Sequence, residues 1–384
     1  MAWRGGAADL GRIADELRWN VEARGSHGLR ERLPASAPAP ARWALVVELG
    51  RACPFVPVTL AAVLILLSLA YAFINGLNDS PSIVAPVVST HALRPRQALL
   101  LAAAAQACGP LLIGLAVART VAARVVVPEL LVPESILAAL LAALCWAVFT
   151  SIVGIPSSSS HALIGGLAGA ALATAGSPAL VLPGLARVGV ALLISPPLGL
   201  LFGFAAVRLT LRLARGARPS LNTQLRYWQQ ATMMALGVSH GASDAPKAMG
   251  VLTLGLMVFG RHDGGGIPGW VVAACLGAFC LGTSIGGWRQ MRTLGARIYR
   301  LRPVHGFGAL VAGSVVIFSA AVAGGPISTT QVMASAILGA GAAERLNQVR
   351  WLVLRDMLTA WALTLPATML LAWGILRLLL ASGG

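Results

Sequence analysis

Long apolar runs separated by short polar gaps follow one another along the chain from about residue 56 onward. Runs at 56–74, 98–118, 188–207, 270–285 and 307–323 each approach the roughly 20 residues an α-helix needs to cross a bilayer. Other apolar stretches are interrupted by Gly, Pro and Ser/Thr clusters. Counting those as half-crossings, the pattern predicts about ten to twelve crossings or half-crossings, an all-α polytopic membrane protein. Before the first run, Leu10, Ile13, Leu17 and Val21 recur at helical spacing, and Pro34, Pro38 and Pro40 follow. Residues 1–55 therefore read as an amphipathic arm and a Pro/Ala linker. No apolar core follows a short basic start there, so they do not read as a signal peptide.

Composition agrees with the pattern: 57% of residues are hydrophobic and 11% charged, against about 25% charged in an average soluble domain. The net charge of +16 would suggest nucleic acid in a soluble protein. Here the arginines lie in short gaps instead. Arg208, Arg212, Arg215, Arg218 and Arg226 share one, and Arg289, Arg292, Arg297, Arg300 and Arg302 another, neither containing an acid. Such gaps mark cytoplasmic loops of a multi-pass protein of the inner (plasma) membrane. No folded basic domain is left over to bind nucleic acid. Cys53, Cys108, Cys145, Cys275 and Cys280 lack the paired spacing of a disulfide framework or zinc site and read as packing residues.

An internal repeat organises the chain. Asn75-Gly76-Leu77-Asn78-Asp79-Ser80-Pro81 overlies His240-Gly241-Ala242-Ser243-Asp244-Ala245-Pro246 at an offset of 165. Pro156-Ser157-Ser158-Ser159-Ser160-His161 overlies Pro326-Ile327-Ser328-Thr329-Thr330-Gln331 at an offset of 170. Two motifs in the same order at nearly one offset indicate duplication, with a first repeat at 56–207, a basic cytoplasmic loop at 208–226 and a second repeat at 227–384. Each half then carries one break at Gly-x-x-Asp-x-Pro and one at Pro-x-Ser-[Ser/Thr]-[Ser/Thr], and duplicated halves with interrupted helices point to a secondary transporter. Arg94-Pro95-Arg96 also reads as cytoplasmic, which would start the first half from the opposite side and make the repeats inverted.

The charges inside the apolar regions carry the chemistry. Between Glu48 and Glu129 the only acid is Asp79, and between Glu134 and Asp263 the only one is Asp244. An ionisable side chain at membrane depth costs at least about 2.5 kcal/mol and marks function by default; the competing role is capping of a half-helix. Lys247, the only lysine, follows Asp244 by three residues and shares its helical face. It either neutralises Asp244, contacts an anion or takes part in proton coupling. The Ser/Thr breaks read as half-helix N-termini, whose free N–H groups and dipole attract anions and whose hydroxyls add donors without charge. Ser158, Ser159, Ser160, Ser328, Thr329 and Thr330, with Asn78 and Lys247, are the expected anion-binding residues. Asp79, Asp244, Asn78 and Ser243 are those expected for the coupling ion. The stretch Ser158 to His161 could mimic a nucleophile and base, but adjacent residues on a helix do not face each other, and no enzyme is expected.

At these motifs the sequence resembles the PiT (Pho4) family of inorganic phosphate transporters from about Val56 to the C-terminus. The resemblance also rests on Gly154-Ile155-Pro156, Gly165-Gly166, Met249-Gly250 and Gly286-Gly287-Trp288-Arg289. It is closest to the bacterial low-affinity, proton-coupled branch. It implies an inverted-repeat bundle with broken helices and re-entrant hairpins that imports phosphate by symport, with a proton as coupling ion and in some cases a divalent metal travelling with phosphate as a neutral complex. No cofactor is implied; phosphate and the lipid bilayer are the expected partners, with a second copy of the chain as a candidate. Three departures bear on substrate and ion: Ser243 stands where the family has Asn, Gln331 where it has His, and Ser80-Pro81-Ser82 replaces its small-residue and Asn pattern. A sulfate or other oxyanion permease, or a sodium-coupled phosphate symporter, are the alternatives.

Overall fold

A computed structural model describes residues 58–216, 218, 220–297, 299, 301–344 and 350–382. The amphipathic arm and Pro/Ala linker lie outside these residues. Among them the chain is almost entirely helical, the single β feature being an isolated antiparallel bridge between Val126 and Leu180. The first half holds α1 (Val58–Ser89), α2 (Pro95–Ile113), α3 (Ala116–Ala123), α4 (Pro133–Val153), α5 (Ser159–Ala175) and α6 (Leu182–Leu213). The second holds α7 (Leu221–Val258), α8 (Gly269–Ile285), α9 (Trp288–Arg292), α10 (Pro303–Val322), α11 (Thr329–Ala342) and α12 (Trp351–Ser382). Among the described residues six helices are long and apolar enough to span a membrane, and α8 with the segment after its 55° bend makes a seventh candidate. Large apolar side chains such as Leu111, Leu193, Leu370 and Leu378 point outward, as a lipid-facing surface requires.

The six elements of one half correspond in order to the six of the other, and their packing corresponds too. Helix α1 packs on α8 and α7 on α2; α5 packs on α12 and α11 on α6. The correspondence extends to single atoms. A Cβ built on Gly76 would fall on the Phe279 carbonyl oxygen, and one on Gly241, its repeat counterpart, on that of Gln106. From the facing helices, Gly282 abuts Phe73 and Gly109 abuts Val238 in the same way. The glycine shared by the two Asp motifs is thus a helix-crossing point.

Helices α1 and α7 carry equivalent motifs yet lie antiparallel. Leu64, near the start of α1, packs on Gly255 near the end of α7, while Thr90, just past the end of α1, donates to Gln229 Oε1 near the start of α7 at 2.6 Å. Two apolar cores result. One gathers Leu64, Ile136, Leu167 and Leu252, and the other Ile83, Leu236, Leu310 and Val332.

Two points differ from the sequence reading. The Gly-x-x-Asp-x-Pro motifs do not break their helices: α1 runs unbroken through Pro81 and Pro86, and α7 through Pro246. A proline removes one N–H and frees the carbonyl four residues earlier. Ser80 Oγ donates to that freed Leu77 carbonyl at 2.9 Å, which is how a spanning helix tolerates the loss. The basic segment 208–226 is also mostly helical, with Arg208 and Arg212 on α6 and Arg226 on α7.

The Ser/Thr motifs do interrupt the helical chain. Helices α4 and α5 form one hairpin, and α10 and α11 another. Each first helix ends near a glycine with positive φ, Gly154 (78°) and Gly324 (69°), where a Cβ would be strained. An extended Pro-containing stretch then leads to Ser158 or Ser328, the N-caps of α5 and α11. The open end of the first hairpin is tied by the Val126–Leu180 bridge and a 2.7 Å bond between Ser135 and Thr174. At the second, Glu344 pairs with Arg302 and lies 2.8 Å from His305 Nε2. Burial pushes the Glu344 carboxyl up, but the Arg302 guanidinium, together with His305, holds the group below the usual carboxylate range.

Candidate functional site

The two hairpin tips meet the middles of α1 and α7. Among the described residues Asp79, Asp244 and Lys247 are the only Asp, Glu, Lys or Arg side chains that are buried, and all three lie in this one layer. Asp79 is held by both tips: Thr330 Oγ1 donates to Oδ1 at 2.6 Å and Ser159 Oγ to Oδ2 at 3.0 Å. Asp244 accepts from Thr329 Oγ1 at 2.6 Å and pairs with Lys247. Ser159 on Asp79 and Thr329 on Asp244 are repeat-equivalent bonds. Residues 80 or more apart in sequence are brought together here, as the repeat predicted.

The remaining predicted residues divide by role. Ser158 Oγ accepts the His161 N–H at 3.2 Å and Ser328 Oγ that of Gln331 at 3.4 Å, so both serve as helix caps. Contrary to the sequence reading, the Ser158 and His161 side chains also meet, Oγ to Nδ1 at 2.6 Å, because residues three apart share a helix face. Ser160 Oγ donates to the Ile327 carbonyl at 2.6 Å, which also takes the Lys247 ammonium at 3.0 Å. Asn78 Nδ2 donates to the Ala147 carbonyl at 3.0 Å, leaving Oδ1 buried without a partner; Ser243 Oγ is likewise buried and unpartnered. Asp79 and Asp244 are not themselves caps, since both sit mid-helix. Buried polar atoms without partners are uncommon in a finished core and fit a place where ligands bind.

Several residues of the site escaped the sequence reading. Asn75, one helical turn before Asp79, is buried with both amide atoms unpartnered. Tyr71 OH donates to the Ser159 carbonyl at 3.2 Å, and Trp146 Nε1 to Ser157 Oγ at 2.9 Å. Tyr71, Asn75 and Asp79 recur every four residues, a polar stripe on an apolar helix that could have been found. Gln106 gave no such signal. It lies within the apolar stretch of α2 after Gln97 and bonds His240 Nδ1 at 3.1 Å, while His240 Nε2 lies 3.1 Å from Asp244 Oδ2, off the line of a hydrogen bond.

Tyr71, Asn75, Asn78, Asp79, Trp146 and Ser159 line a cavity of about 20 Å³. That is room for one water molecule and not for a tetrahedral oxyanion. A hydroxyl has a single proton to donate, so Ser159, Thr329 and Thr330 must leave the carboxylates before they can hold an anion. Replacing Thr330 or Ser159 with alanine is expected to weaken oxyanion binding about tenfold or more, the equivalent of one hydrogen bond to a charged group, with the fold retained. Anion-dependent protection against thermal unfolding checks this; unchanged affinity in both variants would assign these hydroxyls to structure alone.

A family model described as "Phosphate transporter family" matches residues 75–372, a span that begins at the first Asp motif and contains both hairpins. The chain belongs to that family. It is 41% identical over 313 residues to the "Probable low-affinity inorganic phosphate transporter" of Bacillus subtilis (strain 168), covering 80% of this chain and 93% of that protein. It is 38% identical, with the same two coverages, to the protein of that name from Rhizobium meliloti (strain 1021). A solved structure of "The sodium-dependent phosphate transporter" superposes with a TM-score of 0.76 over 84% of this chain and 99% of that one; at 22% identity it shows a shared fold. The phosphate transporter family is one of transporters and not of enzymes. The chain is thus a multi-pass membrane protein, and in bacteria, the source of these two relatives, that membrane is the plasma membrane.

Proposed function

We propose that the protein is an alternating-access symporter that imports inorganic phosphate, with a proton as the coupling ion and the two halves inserted in opposite senses. The observation that carries the reading is that hydroxyls from both hairpin tips end on the two buried aspartates. With Asp79 charged, it holds the protons of Ser159 and Thr330. With a proton or cation on Asp79, those hydroxyls are free to turn to the anion, assisted by the free N–H groups at the starts of α5 and α11. Cation and anion then favour each other's binding, and by linkage the effect is reciprocal. Coupling is needed because moving two negative charges into a cell with a 100 mV negative interior costs about 4.6 kcal/mol.

Phosphate is favoured over sulfate because protonated phosphate can donate a hydrogen bond to an aspartate and sulfate near neutral pH cannot. A neutral metal–phosphate complex would be accommodated by the same acceptors. The sodium-coupled reading has support in the sodium-dependent structural relative and in Asn78 Oδ1, an unpartnered oxygen one residue from Asp79. Opposed insertion is supported by the antiparallel α1 and α7, and cysteines placed at 218 and 263 should label from opposite faces.

Labelled phosphate and sulfate uptake into proteoliposomes tests the reading. Phosphate accumulation is expected with an inward proton gradient, and little from sulfate. Accumulation driven by sodium alone would replace the proton by sodium, the addition of magnesium reports on the complex, and phosphate entry that never exceeds equilibrium would overturn symport.

A further inference from the structure

Asp79 and Asp244 are repeat equivalents in different electrostatic settings. Asp79 is held by two neutral hydroxyls and pairs with no cation. Asp244 pairs with the Lys247 ammonium, which also bonds the Ile327 carbonyl and is itself 1% exposed. The residue corresponding to Lys247 in the first half is Ser82, whose buried hydroxyl has no partner. The ammonium therefore sits between a carboxylate and a backbone carbonyl, oxygen ligands of the kind that hold a monovalent cation in a buried site.

We infer that Lys247 is a tethered substitute for a second coupling cation, so that the second half carries its own positive charge and only Asp79 takes up a travelling one. The inference rests on the symport reading above and specifies its stoichiometry. The buried layer holds two carboxylates and one ammonium, a formal charge of −1 before any ligand enters. One cation on Asp79 neutralises it. With Lys247 removed the same layer carries two negative charges, and loading it with an anion requires a cation at each aspartate. A role in stability does not account for the pair, because a buried ion pair stabilises a fold little compared with apolar residues of similar volume. The groups surrounding it are His240 and Asp244 on its own helix, Asp79 on α1, Gln106 on α2, His161 on α5 and Thr329 on α11, with no second Lys or Arg among them.

The test is the net charge moved per phosphate, obtained at fixed pH from the clamped membrane potential at which labelled phosphate flux in proteoliposomes reverses. Lys247→Ser, which gives the second half the residue type of the first, is expected to raise that charge by one elementary unit over wild type. Lys247→Arg keeps a cation in place and is expected to leave it unchanged. Transport by Lys247→Ser at the wild-type charge per phosphate would overturn the inference. Should that variant fail to fold, the double variant Lys247→Ser with Asp244→Asn removes both charges together. It is expected to accumulate phosphate, more slowly, at the wild-type charge ratio. Phosphate exchange without accumulation in the double variant would count against the inference as firmly. A wild type that accumulates no phosphate under any cation gradient would instead overturn the symport reading itself.

Discussion

Asp79→Asn is expected to abolish gradient-driven accumulation of phosphate while leaving exchange of external for internal phosphate. Asparagine keeps the shape of the side chain and offers an acceptor oxygen, but it carries no charge for a cation to neutralise. It resembles the aspartate with its coupling ion already in place, so the Ser159 and Thr330 hydroxyls are released to the anion whether or not a gradient exists. The empty carrier can no longer return in a form distinct from the loaded one with respect to cation, and accumulation is lost. Asp244→Asn alone is expected to abolish accumulation for another reason, because it leaves the Lys247 ammonium buried without its carboxylate. Accumulation and counterflow assays on the same proteoliposomes separate the two activities. Proton-driven accumulation by Asp79→Asn at the wild-type rate would rule out Asp79 as the carrier of the coupling ion.

The second large effect is expected at the glycine crossings. Gly241→Ala would drive a methyl group into the Gln106 carbonyl, and Gly76→Ala one into that of Phe279. Both obstacles are helix backbone, which cannot rotate aside, so the helices must separate. Overpacking of this kind costs about 1–3 kcal/mol, and separation here also pulls the Asp motifs from the hairpin tips. A lower unfolding midpoint and loss of anion protection are expected for each variant. Gly189→Ala and Gly277→Ala meet nothing within 4 Å and should be neutral or stabilising by up to about 1 kcal/mol through helix propensity. Equal midpoints across all four variants would sink the claim that the motif glycines serve as crossing points.

These residues also show how far the sequence could be read. The convergence of Asp79 and Asp244 with the Ser/Thr tips was legible, because charge in an apolar helix and a motif occurring twice are both improbable without a purpose. So was the contact of Asp244 with Lys247, which follows from helical spacing. The break expected at the Asp motifs was misread: Gly and Pro punctuate soluble helices, but in α1 Ser80 takes up the freed Leu77 carbonyl and Gly76 provides close approach. Gln106 and Trp146 could not be found, since neither belongs to a repeated motif and the importance of each depends on which helix lies opposite. The division of the hydroxyls between caps and aspartate ligands also required the structure, because Ser158 and Ser159 are equivalent as residue types and differ only in direction.

The matched contacts of the two halves bear on the energy of the transport cycle. A carrier that rests equally well open to either side needs two conformations within a few kcal/mol of each other, a difference hard to meet by tuning unrelated interfaces. Here the apolar core at one end of the α1–α7 pair has a partner core at the other end, built from corresponding helices. In the alternating-access cycle proposed above, a contact given up when one end opens would be regained in equivalent form where the other closes, so that near-degeneracy would come from duplication. Buried sites where the halves disagree, among them Lys247 against Ser82 and His240 against Asn75, are then places where the balance would be tilted and where single substitutions would bias the resting orientation.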